Sequence, residues 1–193
     1  LYAGLGQFYT GHDTRGWTAS TSDRGTVSQP RFRISPLGKE DRSAFQSGSE
    51  PLDRYFRTQV GQDIRRRVTA CYVATHSVTG APAGYYTLSA ADIPVMDVPE
   101  ELVKRLPRYP AIPAVRLGRL AVDREFHGMG LGGALLFDAV QRAGRSEVGM
   151  HAMIVEAKDA AAEAFYRHHG FAAYGSAPGL LIAPLHRLLK AGK

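Results

Sequence analysis

The chain has 193 residues, which fits one domain, and its 44% hydrophobic content is enough to build a core. Its net charge of +6 favours a polyanionic partner, such as a nucleic acid or a phosphorylated cofactor, although a solubilising surface would give the same balance. The single cysteine, Cys71, excludes an intramolecular disulfide and favours the cytoplasm. No apolar stretch suits a membrane span, and no Cys/His/Asp cluster suits a metal, so neither is expected.

Residues 1–30 are rich in Gly, Ser and Thr, lack apolar periodicity and are predicted to form a flexible N-terminal extension. Residues 31–193 are predicted to form the domain. Its first half is predicted to contain a strand at Arg31–Ile34, a helix capped by Ser49 that runs to about Arg67, a hairpin of Ala70–His76 and Ala83–Ser89, and a helix that starts at Asp97. Its second half is predicted to contain a strand at Ala114–Val122, a helix to about Arg145, a strand at Ala152–Glu156, a helix from Asp159 to Gly170, and closing strands at Phe171 and Leu180–Leu185. A hairpin followed by βα units predicts an α+β fold.

A glycine-rich loop lies between an apolar strand and an apolar helix, in the segment Arg119–Gly133. Glycine tolerates positive φ and has no Cβ, so successive backbone N–H groups can converge on one anion. The N-terminus of the following helix adds unpaired donors and a positive dipole end. This pattern predicts a cradle for a pyrophosphate.

Three kinds of anion cradle have glycines in this position, between a strand and a helix. Gly128, Gly130 and Gly133 match the G-x-G-x-x-G dinucleotide fingerprint, but a Rossmann domain needs further βαβ units, and too little chain follows. A P-loop needs Gly-Lys-Ser/Thr, which Gly132-Gly133-Ala134 does not supply. An acyl-CoA pyrophosphate loop is the interpretation that the rest of the chain favours.

Two segments carry a family resemblance, Arg119–Gly132 and Ala164–Phe171. They resemble the GNAT N-acetyltransferase superfamily, whose motif Gln/Arg-x-x-Gly-x-Gly/Ala aligns with His127-x-x-Gly130-x-Gly132. His127 and Met129 stand where Gln and Arg are commoner. The resemblance implies a GNAT fold: a central mixed twisted sheet flanked by helices, with splayed parallel strands that bind acyl-CoA.

One branch of the superfamily is closer. The segments Glu50–Phe56, Arg119–Asp123 and Ala157–Asp159, together with Phe165-Tyr166, resemble the GNAT toxins of bacterial toxin–antitoxin modules. The resemblance implies a homodimeric, acetyl-CoA-dependent enzyme that acetylates the α-amino group of aminoacyl-tRNA and blocks translation. It also implies a ribbon-helix-helix antitoxin whose complex with the toxin binds operator DNA. The alternative is a GNAT enzyme that acts on a small-molecule amine or a protein N-terminus.

The resemblance also implies site residues. The backbone of Leu120–Val122 is expected to pair with the pantetheine arm where a β-bulge splays the strands, although an ordinary core strand would have the same side chains. Tyr166 is expected to protonate the leaving thiolate, the alternative being a packed aromatic, since only one of Phe165 and Tyr166 is expected to face inward. The residues expected to bind acetyl-CoA are Leu120, Ala121, Val122, His127, Gly128, Met129, Gly130, Leu131, Gly132, Gly133, Asp159, Phe165 and Tyr166.

The acceptor side is less well marked. No base stands out, and an α-amine has a pKa of about 7.7 to 8.0, so part of it is neutral without one. The candidate helpers are Asp123, Glu156 and His168. The candidates for binding the tRNA backbone are Arg116, Arg119, Lys158 and Arg167. Arg119 could instead pair with Asp123 or Glu156.

Overall fold

The structure, a computed structural model, describes residues 8–10, 30–98, 100–103 and 110–191. In this part of the chain, eight strands form one sheet in the order β1-β2-β3-β4-β5-β6-β8-β7. The strands are β1 Phe8–Thr10, β2 Phe32–Pro36, β3 Ala70–His76, β4 Pro82–Pro94, β5 Ala111–Val122, β6 Ala152–Glu156, β7 Ala172–Ala173 and β8 Leu180–Pro184. The β1/β2 and β5/β6 pairs are parallel and the other pairs antiparallel, which confirms the predicted mixed sheet.

Helices flank this sheet, as predicted. They are α1 Glu50–Arg54, α2 Val60–Arg65, α3 Glu100–Val103, α4 Leu131–Gly144, α5 Ala160–His168 and α6 Leu185–Ala191. A π-helical turn, Tyr55–Gln59, joins α1 to α2, so the single helix predicted here is interrupted. The last predicted strand is one residue too long, because Leu185 begins α6, a short helix that buries Leu185 and Leu188.

Two predictions concern segments that the structure describes only in part: the N-terminal extension and the helix expected to start at Asp97. Strand β1 lies within the predicted extension and pairs in parallel with β2, from Phe8 to Thr10. Residues 1–7 and 11–29 are not described, so the flexibility of that segment stays a prediction. Asp97 ends a 3₁₀ turn and α3 begins at Glu100, three residues after the predicted cap.

The two faces of the sheet bury separate apolar clusters. Helices α4 and α6 pack on the face that carries Val115 and Leu117. The turn between α1 and α2 packs on the opposite face, against Ala121. Close packing is set by Gly84, where a Cβ would lie 2.9 Å from the carbonyl oxygen of Ala121 and from Leu135 Cδ1. Among the described helices, none is both long and apolar enough to cross a membrane.

Strands β5 and β6 separate halfway along β5. Their parallel register runs from Ala114 opposite Ala152 to Leu117 opposite Val155, and the rest of β5 has no partner on β6. On its other edge β5 stays paired with β4, and Gly118 is an extra residue between the Leu117–Leu88 and Arg119–Thr87 pairs. The predicted bulge and splay are therefore both present, and they leave one edge of β5 open.

Candidate active site

A cavity of about 420 Å³ lies at the opening between β5 and β6. Its walls come from the end of β5, the first turn of α4, helix α5 and the segment before α1. The residues that line it are Ser47, Gly48, Ser49, Leu52, Leu120, Ala121, Val122, His127, Gly132, Lys158, Asp159, Ala161, Ala162, Phe165 and Tyr166. Eight of the residues predicted to bind acetyl-CoA are in this set, and the others lie in the adjoining glycine loop.

The glycine loop turns the chain from β5 into α4. Asp123 starts the turn, with its carboxylate accepting from the N–H of Glu125 at 3.1 Å. Gly128 and Gly130 have φ values of 73° and 75°, which L side chains rarely adopt. A Cβ at either glycine would meet nothing within 4 Å, so open space lies beside both positions.

Helix α4 begins directly after Gly130, so the N–H groups of residues 131–133 have no acceptor within the helix. These donors and the positive end of the helix dipole suit a phosphate group. The residues present therefore fit the diphosphate of an acyl-CoA.

His127 ties this loop to the strand before it. Its Nε2 atom lies 2.9 Å from the carbonyl oxygen of Val122, so the imidazole donates to the end of β5. Met129 is 39% exposed beside the loop. The His127 Nε2 atom is engaged with Val122 and the Met129 side chain has no donor, so the backbone supplies the donors of the cradle.

The open edge of β5 borders the cavity. Leu120, Ala121 and Val122 pair with β4 on one edge, and their other edge has no strand partner among the described residues. The Leu120 and Val122 side chains pack against the cluster beneath α4. The two interpretations of this strand are thus compatible, since its side chains serve the core and its backbone faces the opening.

Tyr166 on α5 reaches the cavity from a buried position. Its side chain is 7% exposed and packs edge to face against Phe165 and Phe171, at ring distances of 5.2 and 5.6 Å. Among the described residues, none hydrogen-bonds to its hydroxyl. Burial raises the pKa of Tyr166 to about 12, so the phenol is protonated at neutral pH. Phe165 also lines the cavity, so the expectation that one ring alone would face inward is wrong.

Asp159 caps α5, as predicted. One carboxylate oxygen accepts from the N–H of Ala162 at 2.8 Å, and the other accepts from Lys158 Nζ. The hydrogen bond from Lys158 is the main reason that the pKa of Asp159 is lowered, and the backbone donor adds to it. Both residues line the cavity, so a cation and an anion stand at its mouth.

The four predicted tRNA-binding residues do not form one cluster. Lys158 lines the cavity, whereas Arg167 pairs with Glu163 on exposed α5 at 2.8 Å. Arg116 and Arg119 are three residues apart, and the extra residue between them, Gly118, brings both to the face opposite α4. Arg119 lies over the Tyr55 ring and pairs with neither Asp123 nor Glu156.

The candidate helpers for a base do not border the cavity. Both oxygens of Asp123 accept from backbone N–H groups, those of Gln46 and Glu125. Glu156 and His168 are exposed. In the described ranges, no three or more His, Cys, Asp or Glu side chains are grouped to hold a metal.

Sequence reasoning missed one wall of the cavity, which Ser47, Gly48, Ser49 and Leu52 form. The available signal was the segment from Glu50 to Phe56, which contributed to the family resemblance but received no role. This wall and Tyr166 border the same cavity.

Comparisons with known proteins agree with this geometry. The acetyltransferase (GNAT) domain family matches residues 68–173. The chain is 34% identical to the tRNA-acetylating toxin of Mycobacterium tuberculosis, over 75% of this chain and 84% of the relative. Two solved structures are similar: a tyrosine-to-phenylalanine mutant of KacT (27% identity, TM-score 0.77) and AtaT complexed with acetyl-methionyl-tRNAfMet (28% identity, TM-score 0.76). The first covers 83% of this chain and 99% of that one, and the second 84% and 99%.

AtaT is also known in other assemblies. A tyrosine-to-phenylalanine mutant of AtaT has been solved with the C-terminus of its antitoxin AtaR and acetyl-CoA, and the AtaT–AtaR complex has been solved bound to DNA. These structures cover 84% and 83% of this chain, with TM-scores of 0.71 and 0.65. From the matched domain and the identity to its relatives, this chain belongs to the GNAT acetyltransferase family.

Proposed function

We propose that this protein is an acetyl-CoA-dependent N-acetyltransferase toxin that acetylates the α-amino group of aminoacyl-tRNA and so blocks translation. The observation that carries the proposal is one cavity bordered by the open edge of β5, the glycine loop and Tyr166. The Mycobacterium tuberculosis relative acetylates tRNA, and AtaT is known in complex with acetyl-methionyl-tRNAfMet.

The donor side of the cavity suits acetyl-CoA, which supplies an acetyl group activated as a thioester. The N–H groups of Leu131–Gly133 and of the preceding loop bind the diphosphate. The open edge of Leu120–Val122 pairs with the peptide-like pantetheine arm. An N–H group of the same edge donates to the thioester carbonyl oxygen and stabilises negative charge there.

Tyr166 acts as the acid. Its hydroxyl is protonated at neutral pH and has no competing partner among the described residues, so it can donate to the thiolate that leaves. The aromatic rings of Phe165 and Phe171 fix the direction of the phenol.

The tRNA approaches from the face opposite α4. Arg116 and Arg119 lie on that face, and Lys158 stands at the cavity mouth. Cations that bind phosphates fix the position of the acceptor end but carry little sequence information. The identity of the acetylated amino acid is set by the walls of the cavity.

The partners follow from the relatives. AtaT forms a complex with the antitoxin AtaR, and that complex binds DNA. We infer a cytoplasmic homodimer that is neutralised by a ribbon-helix-helix antitoxin and binds operator DNA together with it. Co-expression with the gene beside it, followed by measurement of the mass of the complex, tests the antitoxin and the stoichiometry.

The decisive experiment incubates labelled acetyl-CoA with total charged tRNA and either the wild type or Tyr166→Phe. We expect the wild type to place labelled acetyl on the aminoacyl end of the tRNA, and Tyr166→Phe to place much less there. This result would support both the proposed reaction and the role of Tyr166 as its acid. A folded wild type that binds acetyl-CoA but leaves every charged tRNA unlabelled would overturn the toxin proposal. Transfer to a small-molecule amine or a protein N-terminus would then be the function of this cavity.

A further inference from the structure

A buried carboxylate lies directly behind the wall that sequence reasoning missed. Asp53 on α1 is 4% exposed, and its Oδ1 atom accepts from Ser47 Oγ at 2.5 Å and from Ser47 N at 2.9 Å. Ser47 also lines the cavity, so this residue joins the cavity wall to the carboxylate. The long bond from Ser49 N at 3.3 Å uses one lone pair of Ser47 Oγ, and the second is available to a ligand.

The charge of Asp53 has no cationic partner among the described residues, since no Lys, Arg or His forms an ion pair with it. A buried carboxylate is normally balanced by a nearby cation, because its negative charge is strongly destabilised by removal from water. An ammonium group held in the cavity at Ser47 would supply the missing positive charge.

Other charged or titratable groups around this corner are already committed. The Tyr85 hydroxyl on β4 donates to the carbonyl oxygen of Leu52 at 2.8 Å. The Asp123 carboxylate accepts from two backbone N–H groups. The Arg124 guanidinium stands at the same corner, with its Nε 3.0 Å from the Cβ position of Gly48, and it forms no ion pair with Asp53. On α1 and the turn after it, Glu50 pairs with Arg57, and Arg54 is exposed.

Asp159 is the one acidic side chain among the described residues that line the cavity. It accepts from Lys158 and from the N–H of Ala162, so its charge is balanced at the opposite wall. Of the carboxylates near the cavity, Asp53 is therefore the one whose negative charge is still available for an acceptor amine.

We propose that Ser47 and Asp53 form the proton relay for the acceptor amine, with Ser47 Oγ in contact with the amine and Asp53 acting through it. The inference rests on the proposed function, because it assigns the amine side of that reaction. It also narrows the acceptor to an amine that binds as an ammonium ion, the form that predominates for an α-amine below its pKa of about 7.7 to 8.0.

The relay accounts for each proton. The ammonium gives a proton to Ser47 Oγ while the Ser47 hydroxyl proton passes to Asp53 Oδ1. The freed nitrogen lone pair attacks the thioester carbon, a C–N bond forms, and the C–S bond breaks. Tyr166 protonates the thiolate and takes the second amine proton in return, and Asp53 later releases its proton to water.

The test is the pH dependence of kcat/KM for acetyl transfer to aminoacyl-tRNA between pH 6.0 and 8.0. Spontaneous hydrolysis of the aminoacyl ester is measured in parallel at each pH. The variants are Ser47→Ala and Asp53→Asn. Ser47→Ala keeps the bond from residue 47 N–H to Asp53, so the segment retains its main anchor. The matched control is Ser49→Ala, because Ser49 lines the same cavity but its side chain makes no cap hydrogen bond.

We expect kcat/KM of Ser47→Ala to fall about tenfold for each pH unit below the pKa of the amine, since only the neutral amine then reacts. The wild type and Ser49→Ala should decline less steeply, so the deficit of Ser47→Ala grows roughly tenfold between pH 8.0 and 6.0. The KM for acetyl-CoA should be unchanged. Asp53→Asn should reproduce the steep profile if it folds, as judged by acetyl-CoA binding.

Profiles of the wild type and Ser47→Ala that run parallel at every pH would overturn the relay, whatever the size of the offset. So would a steep profile in Ser49→Ala, which would mark a general disturbance of the wall. Failure of the proposed function looks different, because the wild type itself would then acetylate no charged tRNA at any pH.

Discussion

Arg119 on β5 lies over the ring of Tyr55, with its guanidinium carbon 3.5 Å from the ring centroid. The ring is itself fixed, because Tyr55 is 3% exposed and its hydroxyl donates to Asp63 at 2.9 Å. A guanidinium held by its face keeps the N–H groups at its edge available for a phosphate. The stack therefore prepares a cation on the face from which the tRNA is proposed to approach.

Arg119→Ala is expected to raise the KM for aminoacyl-tRNA about tenfold, with little change in the KM for acetyl-CoA. Loss of one phosphate contact should also make the salt dependence of tRNA binding less steep, by about one in the log–log slope. Kinetics at several salt concentrations measure both effects. Arg145→Ala removes an exposed arginine at the end of α4 and is the matched control.

A purely structural role for the stack would give a different pattern. Cation–π contacts contribute about 0.5 to 2 kcal/mol, so thermal stability would fall and both KM values would change together. An unchanged salt slope in Arg119→Ala would remove this residue from the tRNA-binding surface.

Tyr166→Phe is expected to lower the rate of acetyl transfer by about 10²- to 10³-fold, within the range for loss of a general acid. Its effect on stability should be small, because the hydroxyl has no hydrogen-bond partner among the described residues. Single-turnover transfer and thermal unfolding measure the two quantities. A variant that keeps full activity would exclude Tyr166 as the acid.

The same side chain makes stability depend on alkaline pH. Burial raises the pKa of Tyr166 from 10.0 to about 12, so between these values the unfolded chain ionises and the folded chain does not. The contribution of the neutral phenol to the free energy of unfolding is fully present below pH 10. It is lost as the pH rises to 12, and the loss amounts to about 3 kcal/mol at most. Tyr166→Phe should lose less stability than the wild type over this range in urea unfolding, and equal losses would contradict the prediction.

Much of the donor side was predictable, because its signals are local in the chain. Gly128 and Gly130 permit the left-handed conformation that the structure shows, and the strand before them and the helix after them follow from apolar patterns. The splay of β5 from β6 was predicted through the family resemblance, and Gly118 supplies its bulge.

The acceptor side depends on contacts between distant parts of the chain, which local patterns do not report. Asp123 accepts from Gln46 N across 77 residues, and this bond brings the segment before α1 to the glycine loop. The partner of Arg119 is an aromatic ring on another element, whereas the sequence offered Asp123 or Glu156 as its partner. The wall with Ser47 therefore became visible only in the folded chain.

Gly130→Ala is expected to weaken acetyl-CoA binding more than its cost in stability explains. Its φ of 75° makes any L residue strained by about 1 kcal/mol, and its Cβ would project into open space beside the loop. Gly80→Ala is the matched control, since Gly80 has a φ of 71° and open space in a hairpin turn outside the cavity. Both variants should lose similar stability, and equal acetyl-CoA affinity by calorimetry would contradict the cradle.

Asp138→Ala is expected to cost about 3 kcal/mol in the free energy of unfolding. Asp138 on α4 is 1% exposed, accepts from the Tyr86 hydroxyl at 2.5 Å and pairs with Arg142 Nε at 2.7 Å. Removing the carboxylate leaves the buried hydroxyl of Tyr86 without its acceptor and the half-buried cation without this anion, and both losses destabilise the fold. Urea unfolding measures the change. Glu163→Ala is the control, because the exposed Glu163–Arg167 pair on α5 has the same i,i+4 spacing. That pair should contribute less than about 0.5 kcal/mol. Equal effects of the two substitutions would mean that burial adds nothing to the Asp138–Arg142 pair.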